Sequence, residues 1–440
     1  MSKKNLARNI FSLGIMQAAN YVFPLITVPV ISRIIGPEKF GIINFADAVI
    51  MYFSLLINYG FDYSATRKIA RDPDNAENRS SVFNEVFTSK CLLFILSVAG
   101  FMTLLFIIPQ LRQEKEVALF SFIVCLSAVF TQNWLFQGMQ DLPKIAVLNF
   151  VAKLLFTIMI LWVVRKKEDY LWQPLVSGIA YLSVSVFAFF WAVKKYNIKL
   201  RLIPLKKCLE VLRGEKTVFF SLVVISLYTT TNTVILGLYQ SSEQVGYYTA
   251  GQKLIVIMQS VIAMPLAQAL YPYIGRSFGE SFETGLGQTR KLLPFVMALT
   301  GITGLIMIIA GPHFLTLFYG KAFSPSVPVF QILAFIPMIV GMSNIFGMQI
   351  MLNLKMDKTF FKITASGALL SILLNLVMVR YWGYIGSALN WLLTEIFITT
   401  TMYITLVKKG IQPFSTQYFR AGYITQWIKL ILSKFQINRG

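Results

Sequence analysis

Lys90, Lys153, Lys253, Asp47, Asp62, Glu85 and Glu395 are ionisable side chains set inside or at the ends of long apolar stretches. A charge near the centre of an apolar helix costs at least ~2.5 kcal/mol on insertion scales, so each needs a cavity, a partner or a route to the interface. Lys90, Glu85 and Asp62 lie near stretch ends, where snorkelling explains them. Lys153, Lys253, Asp47 and Glu395 lie deeper, and the chemistry open to them is that of a polar cavity. An ammonium there is a point charge for an anion; a carboxylate can take up a proton or a cation. Amides accompany the charges: Gln17 and Asn20 precede Pro24 and Pro29, and Asn232 sits in the run Thr229-Thr-Thr-Asn232-Thr. Such groups line a hydrated groove or bond one helix to another, and the sequence leaves both readings open. No nucleophile stands beside a base, no carboxylate dyad or phosphate-binding loop is present, and His313 has no Cys or carboxylate cluster near it. Catalytic residues, a metal and a cofactor are therefore not expected. Cys91 and Cys125 in apolar runs and Cys208 in a basic loop read as small fillers rather than a disulfide framework.

The stretches that must position these groups are membrane spans. Of 440 residues 56% are hydrophobic and 13% charged, and runs such as Cys91 to Pro109, Val117 to Trp134 and Leu292 to Ala310 hold no charge. Each is long enough to cross ~30 Å of hydrocarbon. Spans are expected near 10–32, 42–64, 85–109, 117–136, 145–164, 171–193, 217–239, 245–271, 292–318, 327–352, 360–379 and 384–407. The first apolar run, Ile10 to Ile31, is too long for the core of a cleaved export signal, so it is read as a retained span. A net charge of +21 would suit nucleic acid in a soluble protein, but its placement follows the membrane. Twenty-eight basic residues fall in alternate connections that include both termini, against nine in the others. That asymmetry puts both termini in the cytoplasm of a multi-pass inner-membrane protein in contact with lipid, with no nucleic-acid partner.

The longest connection, Lys194 to Lys216, follows the sixth span and carries eight basic residues. It divides the chain into an N-terminal lobe over 1–193, a basic linker over 194–216, a C-terminal lobe over 217–410 and a tail over 411–440. Internal repetition supports the division. Gly36-Pro-Glu-Lys-Phe-Gly41 after span 1 matches Ser241-Ser-Glu-Gln-Val-Gly246 after span 7, with Glu38 to Glu243 and Gly41 to Gly246 both offset by 205. The expected fold is an all-α membrane protein of about twelve transmembrane helices in two six-helix lobes related by this repeat. In the tail, Tyr418, Tyr423, Trp427, Ile428 and Ile431 recur at near-helical spacing beside Arg420, Lys429 and Lys434, which suggests an interfacial amphipathic helix.

Asn9-Ile-Phe-Ser-Leu-Gly, Ile35-Gly-Pro-Glu-Lys-Phe-Gly41, Gly60-Phe-Asp-Tyr-Ser-Ala-Thr-Arg67 and Asn133-Trp-Leu-Phe-Gln-Gly138 together resemble the O-antigen type of polysaccharide flippase. That family belongs to the multidrug/oligosaccharidyl-lipid/polysaccharide exporter superfamily. Phe318-Tyr-Gly-Lys-Ala-Phe323, Gln331-Ile-Leu and Met351-Leu-Asn-Leu extend the likeness over most of the chain. The resemblance implies a monomeric transporter that moves a lipid-linked oligosaccharide, an undecaprenyl diphosphate carrying one sugar repeat unit, between leaflets by alternating access. A proton or sodium gradient would drive it. On that footing Lys253, supported by Lys153 and Lys90, is the expected site for the diphosphate. Asn20 and Asn232 line the sugar groove, and Asp47 and Glu395 couple the ion. The 205 offset maps Lys253 onto Ala48, beside Asp47, so the halves set a cation and a carboxylate at similar depths. A cation-coupled multidrug exporter of the same superfamily is the alternative, and a membrane glycan polymerase or ligase is the remaining one. The short external loops argue against the enzyme.

Overall fold

The computed structural model describes residues 3–419, with side chains described from Val22 onward except at Tyr228 and residues 263–265, 268 and 269. The expected tail helix lies beyond Phe419, outside the described residues, as does the Asn20 side chain. No β-strand occurs among the described residues, and eight helical stretches are long and apolar enough to cross a membrane. Two of these are double. The stretch beginning at Lys3 breaks at Gly36 (φ 74°, ψ 173°) and Asp357–Lys408 breaks at Gly383 (φ 54°, ψ −132°), backbone conformations from which a Cβ is excluded. Pro37 then opens the next helix, where a missing N–H leaves no bond unmade.

The spans are residues 3–35 (span 1) and 37–58 (span 2, continued by Phe61–Arg71), then Ala76–Ile107, Lys115–Phe130, Leu142–Val163 and Trp172–Lys195 (spans 3 to 6). Span 7 is a pair, Leu205–Thr229 and Thr231–Tyr239, bent by 50°. Spans 8 and 9 are Ser242–Glu280 and Phe282–Tyr319. Span 10 runs from Val327 through the π-helix Ile345–Leu352, and spans 11 and 12 are residues 357–382 and 384–408. This is the twelve-span helical fold that the sequence implies. Helical geometry continues through Pro24, so the break near span 1 belongs to Gly36. Trp162, Trp172, Tyr381 and Trp382 stand exposed at span ends, as amphipathic rings do at a membrane–water boundary.

Two compact units emerge. The first comprises Met1–Ser226, Thr233–Tyr247 and Phe318–Phe323; the second comprises Leu227–Asn232, Tyr248–Leu317 and Ser324–Gly440. In the first, span 4 packs on span 6 and the span 1–span 2 pair packs on spans 4 and 5. A hydrophobic core cluster there includes Phe83, Trp134, Phe136 and Phe189, with the Phe83 and Phe189 rings 5.3 Å apart. Trp134 and Phe136 come from the Asn133–Gly138 helix, and a Cβ on Gly138 would lie 2.7 Å from Ile69. That motif is spent on packing. In the second unit, Leu293, Ile345, Phe346, Ile350, Ile363, Ile398 and Met402 form a core shared by spans 9, 10, 11 and 12.

Residues 194–216 are not one loop. Span 7 already begins at Leu205, because Cys208, Val211 and Leu212 of its first turns bury against the first unit. Ahead of it an extended segment is fastened to span 3. Lys199 N–H donates to Ser80 Oγ (3.2 Å), Arg201 N–H to Asn84 Oδ1 (3.0 Å) and Ile203 N–H to Thr88 Oγ1 (3.4 Å), while Asn84 Nδ2 donates to the Lys199 carbonyl (2.8 Å). Four helical residues rise ~6 Å and two extended residues ~6.6 Å, so the two ladders stay in step. Lys207 to Glu85 (3.0 Å) and Lys68 to Glu215 (2.9 Å) add ion pairs. Glu85, read from the sequence as a snorkelling side chain, is thus held by a lysine of this segment. Nearby, Asp141 pairs with Lys195 and accepts from the Tyr196 hydroxyl (3.1 Å). Burial and that carboxylate raise the Tyr196 phenol above its ordinary range.

Candidate functional site

The two repeated turns meet inside the first unit. A Cβ built on Gly41 would lie 1.7 Å from the Ser242 carbonyl oxygen, and one on Gly246 would lie 2.0 Å from that of Pro37. Pro37 and Ser242 are separated by the same 205 residues as the glycines, so the contact is reciprocal. Span 2 and span 8 touch backbone to backbone, at a closeness that a side chain on either glycine forbids and that Cα–H···O contacts favour. Beside the seam, Gly36, Pro37, Glu38, Lys167, Ser241, Ser242 and Glu243 line a cavity of about 430 Å³. Lys167 Nζ lies 3.2 Å from Glu38 Oε2, and the Tyr247 hydroxyl donates to Glu243 Oε1 at 2.6 Å. Phe40 meets Tyr319 and Phe323 edge-on at 5.9 and 5.6 Å, which seats the Phe318–Phe323 motif in the same place.

Farther along span 2, Asp47 is exposed in an otherwise buried run from Phe40 to Ile50, and the Ser121 hydroxyl donates to its Oδ1 at 2.9 Å. Lys153 is half-buried on span 5. Lys90 does not snorkel. It is 1% exposed, and its ammonium donates to the carbonyls of Ala128 and Thr131, both at 3.0 Å. Those carbonyls end span 4, where helical partners run out and a cation meets the negative end of the helix dipole. A helix-capping role accounts for its burial.

Lys253 and Asn232 belong to the second unit. Lys253 is exposed on span 8. Asn232 is 1% exposed and anchors a network that joins spans 7, 8, 11 and 12. Its Oδ1 accepts from Asn375 Nδ2 (3.0 Å) and Asn390 Nδ2 (2.8 Å), its Nδ2 donates to the Tyr248 hydroxyl (3.4 Å), and Asn390 Nδ2 also donates to Ser371 Oγ (3.0 Å). Of the two readings open in the sequence, this geometry is hydrogen bonding between helices. Asn375 Oδ1, Asn390 Oδ1 and Thr394 Oγ1 are buried acceptors with no partner among the described residues, so the cluster retains capacity for a further donor. Asn375, Asn390 and Ser371 were visible in the sequence as polar positions inside apolar runs, but spacing along the chain does not pair them. Glu395 is 7% exposed on span 12 and accepts from Trp391 Nε1 at 3.4 Å. In span 10, Gln349 Nε2 donates to the Ala267 carbonyl (3.1 Å), and its Oε1 is unpartnered beside a water-sized cavity shared with Thr300 and Asn344.

The profile of a family described as polysaccharide biosynthesis protein matches residues 6–278, which is more than half of the chain. This chain belongs to that family. An Escherichia coli (strain K12) protein provisionally named an O-antigen transporter is 28% identical over 402 residues, covering 91% of this chain and 96% of the relative. Among solved structures, an inward-facing multidrug resistance transporter of the MOP superfamily superposes with a TM-score of 0.70 at 14% identity, covering 91% of this chain and 98% of that one. The lipid II flippase MurJ, in an inward closed conformation, also gives 0.70 at 15% identity, covering 99% and 93%. At such identities the likeness is one of fold.

The region matched to the polysaccharide biosynthesis family includes the Gly41–Gly246 seam, Asp47, Lys90, Lys153, Asn232 and Lys253. It stops before Gln349, Asn375, Asn390 and Glu395, so two of the three amides of the network lie outside it.

Proposed function

We propose that this chain is a flippase that carries a lipid-linked oligosaccharide repeat unit, joined to undecaprenyl diphosphate, from the cytoplasmic to the periplasmic leaflet of the bacterial inner membrane by alternating access. It works as a monomer with both termini cytoplasmic, is coupled to a proton or sodium gradient, and is not an enzyme. Family membership and the name of the Escherichia coli relative support the substrate class. The observation that carries the reading is the polarity of the spans: Lys253 is exposed on span 8 and Lys153 half-buried on span 5, whereas the deep carboxylate of the second unit, Glu395, is buried under Trp391. Ammonium groups in a low-dielectric surrounding suit a diphosphate, and lysine tolerates varied poses of a headgroup that bears bulky sugars. Lys90, already bound to two carbonyls, is left out of the anion set. Asn20 and Asn232 stay on the sugar side of the proposal, Asn232 through the network that shapes its helix. Asp47 is the coupling carboxylate because it combines exposure with a hydroxyl contact, from Ser121, that protonation or a cation would alter.

The test compares Lys253→Arg, Lys253→Gln and Lys253→Gln with Asp47→Asn, assayed for surface glycan at matched expression. Anion binding predicts activity for Arg, loss for Gln and no rescue by the double change; full rescue would assign Lys253 to a structural ion pair. The multidrug-exporter reading takes support from the first structural neighbour. It predicts gradient-dependent efflux of organic cations by the purified protein in vesicles, where the flippase reading predicts none.

A further inference from the structure

Residues 199–209 carry a row of leucines that the described residues leave uncovered. Leu200, Leu202, Leu205 and Leu209 are all exposed, Leu202 by 77%. The ladder to Ser80, Asn84 and Thr88 is made by the main chain of Lys199, Arg201 and Ile203, so Leu200 and Leu202 share one side of the extended segment. Leu205 and Leu209 follow one turn apart on span 7 and stay exposed, while buried Cys208 and packed Leu212, three and seven residues on from Leu205, carry the same apolar stripe into the first unit. The four exposed leucines are therefore the open margin of an apolar surface whose neighbouring part, at Cys208 and Leu212, is already filled by protein. Around the open row stand exposed Lys199, Arg201, Lys206, Lys207 and Arg213, with Glu210 as an exposed carboxylate among them. Lys207 is partly offset by Glu85.

Leucines that face outward, ringed by cations and fastened to the start of a transmembrane helix, match one environment: the boundary between acyl chains and anionic headgroups. Charge decides against a soluble protein groove as the occupant, because the cations flank the row on a segment already tied to a membrane span. We propose that residues 199–209 form a docking edge for anionic phospholipid, with the four leucines immersed at the acyl boundary and Lys199, Arg201 and Lys206 on headgroup phosphates. The ladder to span 3 turns that docking into a fixed depth for spans 3 and 7. The inference does not depend on which substrate is carried.

Leu202→Cys and Glu210→Cys, each in a Cys91→Ala background in which buried Cys125 and Cys208 stay unlabelled, report on it through a bimane fluorophore in nanodiscs of the full chain. Brominated acyl chains should quench the label at position 202, and adding anionic phospholipid should raise that quenching at least about twofold, an increase that high salt removes. The label at position 210 should respond to aqueous iodide instead. Changing Lys199, Arg201 and Lys206 together to Gln should abolish the anionic-lipid increment. Free access of iodide to position 202 in anionic nanodiscs would overturn the proposal. So would protection from both quenchers, which would mean that protein, either the segment after Phe419 or a second copy, covers the row. Persistence of the increment in the Gln variant would overturn the assignment of the cations. Asn84→Ala, which removes two rungs of the ladder, guards against a fluorophore artefact: it should lower quenching at 202 in anionic nanodiscs, and unchanged quenching would remove span 3 from the mechanism.

Discussion

An alanine at Gly41 puts a methyl group 1.7 Å from the Ser242 carbonyl oxygen, and an alanine at Gly246 puts one 2.0 Å from that of Pro37. A comfortable C···O approach is ~3.3–3.6 Å, so spans 2 and 8 must separate by roughly 1.5 Å at this point. Neither obstacle is a flexible side chain that could swing aside. Overpacking of this kind costs about 1–3 kcal/mol, which reduces the population of the closed seam by about 5- to 150-fold. One separation relieves both clashes. The double alanine variant should therefore cost less than the sum of the single ones, with an interaction energy of about 0.5–3 kcal/mol. The assay is the rate at which Ser241→Cys, on the wall of the adjoining cavity, reacts with a membrane-impermeant maleimide in cells, read alongside surface glycan at matched expression. Each single alanine should raise the labelling rate at least about fivefold, and the pair should add little more. Gly214→Ala, whose Cβ would meet nothing within 4 Å, is the control and should change neither readout. Unchanged labelling in Gly41→Ala, or strictly additive effects in the pair, would refute the single-seam reasoning.

Lys90→Met replaces a buried ion with an unbranched apolar chain and should cost no more than about 1–3 kcal/mol, the penalty for two carbonyls left unbonded, with transport retained; a well-folded Lys90→Met protein without transport would return Lys90 to the anion site. Asn232→Leu removes an oxygen shared by two buried amides and should lower thermal stability in detergent by about 1–2 kcal/mol, less than in a soluble core because membrane helices find other partners. Melting as in the parent would show that the network bonds are idle. Asn84→Ala should speed trypsin cleavage after Lys199 and Arg201, since it frees the Lys199 carbonyl and the Arg201 amide together. A cleavage rate equal to that of the parent chain would mean that the ladder does not hold the segment.

The spans, their number and the internal repeat were legible in the sequence because each rests on a local property. Transfer of an apolar run into hydrocarbon depends on that run, and a glycine in a turn, as at Gly36, accepts the positive φ at which one helix gives way to the next. The repeated turns could be matched residue for residue from Gly41 to Gly246, although their mutual contact could not. What a polar group meets inside a span was not legible. Lys90 was assigned an interface, yet it bonds carbonyls 38 and 41 residues away, and Cys208 was assigned a loop, yet its helix is held by a core formed from spans 2, 3 and 6. Ser80, Asn84 and Thr88 bond main-chain groups that lie more than a hundred residues on. Asn232 could be read equally as groove lining or as glue until Asn375 and Asn390 converged on its oxygen. The cost of burying a charge or an amide is set by the side chain itself, so the sequence announces that a partner must exist. Which partner is set by directional bonds of about 3 Å between segments far apart in the chain, and those distances exist only once the helices have packed.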